Sequence, residues 1–243
     1  MNCRYRIIVG GGLAALLVLP CLGFAQSLGS AASFAILAGS TVTNTGATTI
    51  IGSVGVSPGT AITGLPAGQP TGGTIHAGDD VAAQAQSDLT IAYNSLAGMA
   101  CVTNLTGQDL GGQTLAAGVY CFDTSAAVTG TLTLDGQGNA NAVFVFQIGS
   151  TLMTATGAAL NLIGAAQPTN VYWQVGSSAT LGTGTAFQGN IIALGSITLT
   201  TGARLDGRSL ARTGAVTMDV NTVGATPVPV EEVTWGMIKV IYR

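Results

Sequence analysis

Gly195-Ser196-Ile197-Thr198-Leu199-Thr200-Thr201-Gly202-Ala203-Arg204-Leu205 is the stretch that decides the fold. It holds a Gly-Ser corner, a short alternating run, then Thr-Gly and further apolar residues, and the pattern recurs along the chain. Gly149-Ser150 leads to Thr156-Gly157-Ala158-Ala159-Leu160, Gly176-Ser177 to Thr183-Gly184-Thr185-Ala186-Phe187, and Gly39-Ser40 to Thr45-Gly46-Ala47-Thr48. Thr129-Gly130-Thr131-Leu132 is a copy without the Gly-Ser corner. Corner glycines at 149, 176, 195 and 214 give steps of 27, 19 and 19 residues. A repeat of this size marks a solenoid, in which one unit cannot bury its own apolar face and must stack on its neighbours. Ahead of the corners stand Phe144-Val145-Phe146-Gln147-Ile148, Val171-Tyr172-Trp173-Gln174-Val175 and Ile191-Ile192-Ala193-Leu194, β-branched or aromatic runs bounded by Gly, Asn and Ser. They read as strand, turn, strand, so the expectation is stacked β-coils in one elongated domain.

Composition agrees. Hydrophobic residues are 47% of the chain and charged residues only 7%, which is not the balance of a disordered chain. A surface with so few charges must consist of Thr, Ser, Asn, Gln, Gly and Ala, a neutral and hydroxyl-rich exterior. Arg4 and Arg6 precede an apolar run from Ile7 to Leu19, and Gly23-Phe24-Ala25 supplies small residues for cleavage. Residues 1–25 are therefore expected to be a signal peptide, with export, a mature chain starting at Gln26 and no membrane insertion afterwards. Without Arg4 and Arg6 the seven Lys/Arg become five, against ten Asp/Glu, a net charge of −5 that argues against nucleic acid as a partner. Cys101 and Cys121 are then the mature chain's only cysteines, and an even pair in an exported protein suggests a disulfide, the alternative being two buried thiols.

Taken in order, residues 28–51 form an early coil around Phe34-Ala35-Ile36-Leu37, and Gly52 to about Gly78 reads as loop and turn. Asp79 and Asp80 open a segment with Val81, Ala85, Leu89, Ala92, Leu96 and Met99 at helical spacing, which predicts one helix over about 79–99. Coils resume at Leu110 and continue to about Val223. The folded domain is thus expected at 26–225, and residues 226–243 read as a Pro-rich linker with a tail that does not continue the repeat.

The order of these motifs resembles a known family. Leu28-Gly29-Ser30-Ala31-Ala32-Ser33-Phe34-Ala35-Ile36-Leu37-Ala38, then Gly52-Ser53-Val54-Gly55-Val56-Ser57-Pro58-Gly59, a helix, Gly118-Val119-Tyr120-Cys121-Phe122 and Asn170-Val171-Tyr172-Trp173-Gln174-Val175-Gly176 look like the large microbial ice-binding (antifreeze) proteins. The resemblance implies a mainly β fold, a right-handed discontinuous parallel β-solenoid of triangular section with one long α-helix packed alongside. It also implies that the N-terminal coil stacks on the C-terminal one and that one flat face binds ice. The family's Thr-Ala/Gly-x-Thr/Asn motif is matched in full only by Thr45-Gly46-Ala47-Thr48; the other copies end in Ala159, Ala186, Arg204 or Leu132.

The chemistry suits that function. A rank of threonines on stacked coils would repeat every 4.7–4.9 Å or so, and the stiff χ1 of Thr holds methyl and hydroxyl in fixed directions. Candidate ice-contact residues are Thr45, Thr48, Thr129, Thr156, Thr183, Thr185, Thr198, Thr200 and Thr201, the threonines before glycine first among them. The alternative is that they are simply strand formers beside glycine corners. Arg204, Arg208, Arg212, Asp206 and Asp219 form the one charged cluster and are expected on a non-binding face. His76, the single histidine, stands in a Gly-rich loop, so a catalytic dyad or metal site lacks its parts and neither an enzyme nor a cofactor is expected. The expected partner is the ice crystal surface, met by a secreted monomer. The competing function is an adhesive or structural solenoid binding glycans or proteins, which would want exposed aromatic residues.

Overall fold

The computed structural model describes residues 27–224; the segment expected to be a signal peptide and the tail lie outside the described residues. Each coil visits three sides in turn. Val171–Val175 runs along the first side and Ala179–Leu181 along the second. Ala186–Ala193 then starts on the third side, beside Ala159, and ends on the first, beside Tyr172 to Val175. Arg204–Ala211 repeats this path in register, Ala186 to Ala193 opposite Arg204 to Ala211. The bend falls at Gly189 and Gly207, which stack so closely that a Cβ on Gly207 would stand 1.9 Å from the Gly189 carbonyl oxygen. Only glycine permits that approach.

Among the described residues all paired strands are parallel, and the first and last described coils meet. The first strand, Phe34–Ala38, lies between Arg204–Ala211 and Ser53–Val56. Likewise Thr41–Thr45 pairs with Val216–Asp219, and Thr49–Ile50 with Thr222–Val223. The early coil therefore closes on the last one, as the family resemblance implies. One expectation is corrected: residues 52–78 are not merely loop. Ser53–Val56 and Ala61–Thr63 pair in parallel with the early coil and form a further one beyond it, and Ile75–Ala77 pairs in turn with Ser53–Val56, despite the Gly and Pro content.

The interior is filled by the apolar residues of the alternation, with an aromatic stack along its length. Tyr120, Phe146 and Trp173 follow one another on successive coils, Phe146 and Trp173 lying 3.9 Å apart between ring centroids, and Phe187 packs on Trp173 from the third side. The Trp173 Nε1–H donates to the Gln188 carbonyl at 3.1 Å, so burying the indole leaves no orphan donor.

The helix, Asp80–Ala97, covers the first side. Asp79 caps it, accepting from the Ala82 N–H at 2.9 Å. Its buried stripe is Ala82, Ala85, Leu89, Ala92, Tyr93 and Leu96, packed against Leu37, Val145, Tyr172, Ile192 and Leu210. Val81 instead faces solvent, because the stripe is registered through Ala82. The Cys101–Cys121 disulfide ties the segment after the helix to strand Gly118–Phe122.

Candidate functional site

With the first side under the helix, two sides remain. The third carries the rank Thr131, Ala159, Ala186, Arg204, Thr222, Thr49, with Gln188 beside Asp206 in the next rank. Residues of unlike size meet there, and Arg204 and Asp206 bring charge to it. The second side differs. Ala126–Val128, Leu152–Thr154, Ala179–Leu181, Ile197–Leu199, Val216–Asp219, Thr41–Thr45 and Ala61–Thr63 form one seven-stranded sheet. Its central outward rank is Ala127, Met153, Thr180, Thr198, Thr217, Thr43, Thr63, and the register never slips.

Five consecutive threonines thus stand side by side, spanning about 19 Å at the strand spacing of about 4.8 Å. Each has its place because its neighbours point inward. Val42, Ala179, Leu181, Ile197, Leu199, Val216 and Met218 are all buried, so strict alternation puts Thr43, Thr180, Thr198 and Thr217 outside. No charged residue belongs to this rank.

The threonines before glycine form a second, different rank on the edge between the second and third sides. Gly157 N donates to the Thr183 carbonyl, Gly184 N to that of Thr201, Gly202 N to that of Asp219, and Val220 N to that of Thr45, all at 2.9–3.1 Å. Thr156, Thr183, Thr201 and Thr45 therefore do come together, but with Asp219 between the last two. Thr200 is turned inward on the stack, its hydroxyl donating to the Leu181 carbonyl at 2.8 Å. Thr129 does not join: the chain crosses from Val128 to Thr131 through Thr129-Gly130 alone, where the next coil uses Ala155 to Ala158. Its hydroxyl is held by Asp109 at 2.9 Å.

Two candidates are corrected outright. Thr48 is 2% exposed and accepts from the Asn221 N–H at 3.0 Å; Thr185 is 0% exposed and shares a hydrogen bond with Thr154 at 2.8 Å. Both lie just inside the corner, where their hydroxyls satisfy buried backbone and side chain. The expected charged cluster is dispersed around one coil. Arg204 stands on the third side, and Arg208 donates to the Ala32 carbonyl and to Asn190 Oδ1. Burial lowers the pKa of Arg208. Arg212 lies under the helix, 4.7 Å from the Tyr93 ring centre.

His76 is not a solvated loop residue either. It lies on strand Ile75–Ala77, with Nε2 2.7 Å from Thr74 Oγ1 and Nδ1 2.8 Å from Asp79 Oδ2. The Ala82 N–H and then the His76 ring hold the Asp79 carboxyl below its ordinary pKa, so the group serves the helix cap. Among the described residues no cluster of three or more His, Cys, Asp or Glu could hold a metal ion.

The sequence profile described as ice-binding-like matches residues 36–224, most of the chain. The chain belongs to this family. It is 57% identical over 197 residues to the ice-binding protein of Nostoc sp. (strain HG1), an alignment covering 81% of this chain and 72% of that protein. Among solved structures, an ice-binding protein from an Antarctic biological consortium superposes with a TM-score of 0.77 at 49% identity, covering 82% of this chain and 90% of that one. The ice-binding protein of the Antarctic ascomycete Antarctomyces psychrotrophicus gives 0.78 at 41% identity, covering 82% and 98%.

In this ice-binding-like chain the sequence does contain the signal for the sheet rank. It lies in threonines flanked on both sides by inward apolar residues, as in Ala179-Thr180-Leu181, Ile197-Thr198-Leu199 and Val216-Thr217-Met218. Of the five threonines in the rank, Thr198 alone is among the sequence candidates, because the Thr-Gly pattern marks turns and Thr43, Thr63, Thr180 and Thr217 stand on strands.

Proposed function

We propose that the protein is a secreted ice-binding protein that adsorbs to ice through the seven-stranded sheet face and inhibits ice growth and recrystallisation. The observation that carries the reading is the uncharged rank Thr180, Thr198, Thr217, Thr43, Thr63, unslipped across five strands. Stacking fixes the spacing and the β-branched side chain fixes hydroxyl and methyl, so the rank presents a rigid lattice of alternating donors and apolar bumps. Water ordered on such a lattice loses little freedom on joining a crystal. The names of the relatives, all ice-binding proteins, support the same activity. The segment of Arg4, Arg6 and the apolar run to Leu19 supports export. Glycan adhesion is disfavoured because, among the described residues, no Phe, Tyr or Trp is among the exposed large hydrophobics.

Thermal hysteresis and recrystallisation inhibition of the purified protein test the reading, with Thr198→Tyr in the middle of the rank as the probe. The variant is expected to keep the circular dichroism spectrum and to lose most of both activities, because one bulky ring lifts several threonines from a flat crystal. An inactive parent overturns ice adsorption, and an unaffected variant moves the site off this face.

A further inference from the structure

Two outward ranks run beside one another, and only one is continuous. On the edge, coils ending in Thr156-Gly157, Thr183-Gly184 and Thr201-Gly202 form a strip whose glycines have open space around them: a Cβ on Gly157, Gly184 or Gly202 would meet nothing within 4 Å. The next coil departs from the pattern at both positions. Asp219 replaces the threonine and accepts from the Thr201 hydroxyl, and Val220 replaces the glycine, keeping the same left-handed backbone at φ 53°. That conformation is uncommon for a β-branched residue and persists only where the surroundings enforce it. Here they do: Val220 N donates to the Thr45 carbonyl, and Asp219 N to Asn221 Oδ1 at 2.6 Å. Beyond this coil the Thr-Gly pattern resumes at Thr45-Gly46, and a Cβ on Gly46 would lie 2.7 Å from Val220 Cγ2. Val220 is 46% exposed, so its isopropyl group stands out from the strip.

We propose that Asp219 and Val220 determine which surface meets ice, by excluding the Thr-Gly edge and confining adsorption to the sheet rank. This rests on the ice-binding reading and deepens it. A carboxylate holds its own hydration shell and orients water around a charge, which no ice lattice matches, and the protruding isopropyl keeps the edge from seating flat. Both act at one coil, between Thr201-Gly202 and Thr45-Gly46, and cut the edge strip into pieces. The sheet rank passes the same coil through Thr217 without a break.

The experiment compares Thr198→Tyr on the sheet with Thr183→Tyr and Thr201→Tyr on the edge, in the parent and in an Asp219→Thr/Val220→Gly background. Circular dichroism and melting temperature check folding. Asp219→Asn serves as a second variant that removes the charge and keeps the shape. In the parent, thermal hysteresis should collapse with Thr198→Tyr and stay near the parent value with either edge variant. The double substitution should roughly double the hysteresis and add a plane to those coated when labelled protein binds a single ice crystal, and Thr201→Tyr in that background should remove the gain. Asp219→Asn should give part of it. Edge variants that lower parental activity as far as Thr198→Tyr, or a folded double variant with unchanged hysteresis and planes, overturn the proposal while leaving ice binding intact. Loss of effect from Thr198→Tyr overturns the sheet-face reading itself, and this proposal with it.

Discussion

Thr198 and Thr201 share one coil yet meet different surroundings, and the difference comes from backbone direction rather than residue type. Thr198 sits between Ile197 and Leu199, both buried, so the pleat leaves it no choice but outward. Thr201 stands in a turn, where no alternation applies. Thr48, Thr154 and Thr185 show a third fate, an interior hydroxyl spent on holding corners. Asn221 is the centre of that work. Its Nδ2 donates to the Thr200 and Ala203 carbonyls at 2.8 and 3.0 Å, while Oδ1 accepts from the Asp219 N–H. With the residue 2% exposed, water cannot replace these partners. Asn221→Ala should therefore cost about 3 kcal/mol in denaturant unfolding, at roughly 1 kcal/mol for each lost bond. Asn221→Asp should be no better, because its carboxylate would face two carbonyl oxygens. A variant within a few tenths of the parent would show that the corner is held by backbone pairing alone. These residue fates explain what was legible. Outward threonines follow from period two and could be read from sequence; Thr48 matched the family motif in full and is nevertheless buried, because turn geometry is not written in a four-residue pattern.

At the scale of elements, the apolar strands and the helix were readable because each has one dominant period. The helix departs from the spacing at Val81, which is exposed while Ala82 is buried, and at its end, which comes at Ala97 and leaves Met99 beyond it. The coil across Ser53–Val56, Ala61–Thr63 and Ile75–Ala77 was hidden for the opposite reason. Its strands are short and its Gly and Pro are frequent, and it exists because a finished sheet edge is available to template it. The helix Asp80–Ala97 is fastened at its middle by polar groups. Asp88 accepts from the Ser30 hydroxyl and N–H, both at 2.7 Å, and from Gln84 at 2.9 Å. These bonds, Ser30 first, hold its carboxyl below its ordinary pKa. A pKa lowered in the folded state stabilises above the unfolded value and is lost as pH falls through the folded one. Acidification below about pH 4 should therefore loosen the middle of the helix from the segment Gly29–Ser33. Amide exchange of the helical turns around Asp88 should rise there, and Asp88→Asn should lose most of that pH dependence while exchanging faster at neutral pH. An identical acid response in the variant would assign the effect to other carboxylates.

For the molecule as a whole, the decisive feature is that the threonine rank is not collinear with the chain. Reading along it, Thr180, Thr198 and Thr217 come from consecutive coils, and then the sequence jumps back to Thr43 and Thr63. The junction is closed by contacts such as the Asn221 N–H to Thr48 hydroxyl bond, which spans 173 residues. The aromatic stack, by contrast, forms between neighbouring coils, and the Trp173 indole bonds a residue 15 positions away. Closing a longer loop costs more entropy and comes later in folding. The threonine rank is therefore expected to be completed by the last and most distant pairing in the fold, after the core beneath half of it exists. Refolding of a Trp235→Phe chain, followed by Trp173 fluorescence and by thermal hysteresis of timed samples, should show the fluorescence recovering first and the activity lagging behind it. Recovery of both with one rate constant would mean that the termini meet before the central coils consolidate, and that the N-terminal coil serves as a template for the stack rather than its closing piece.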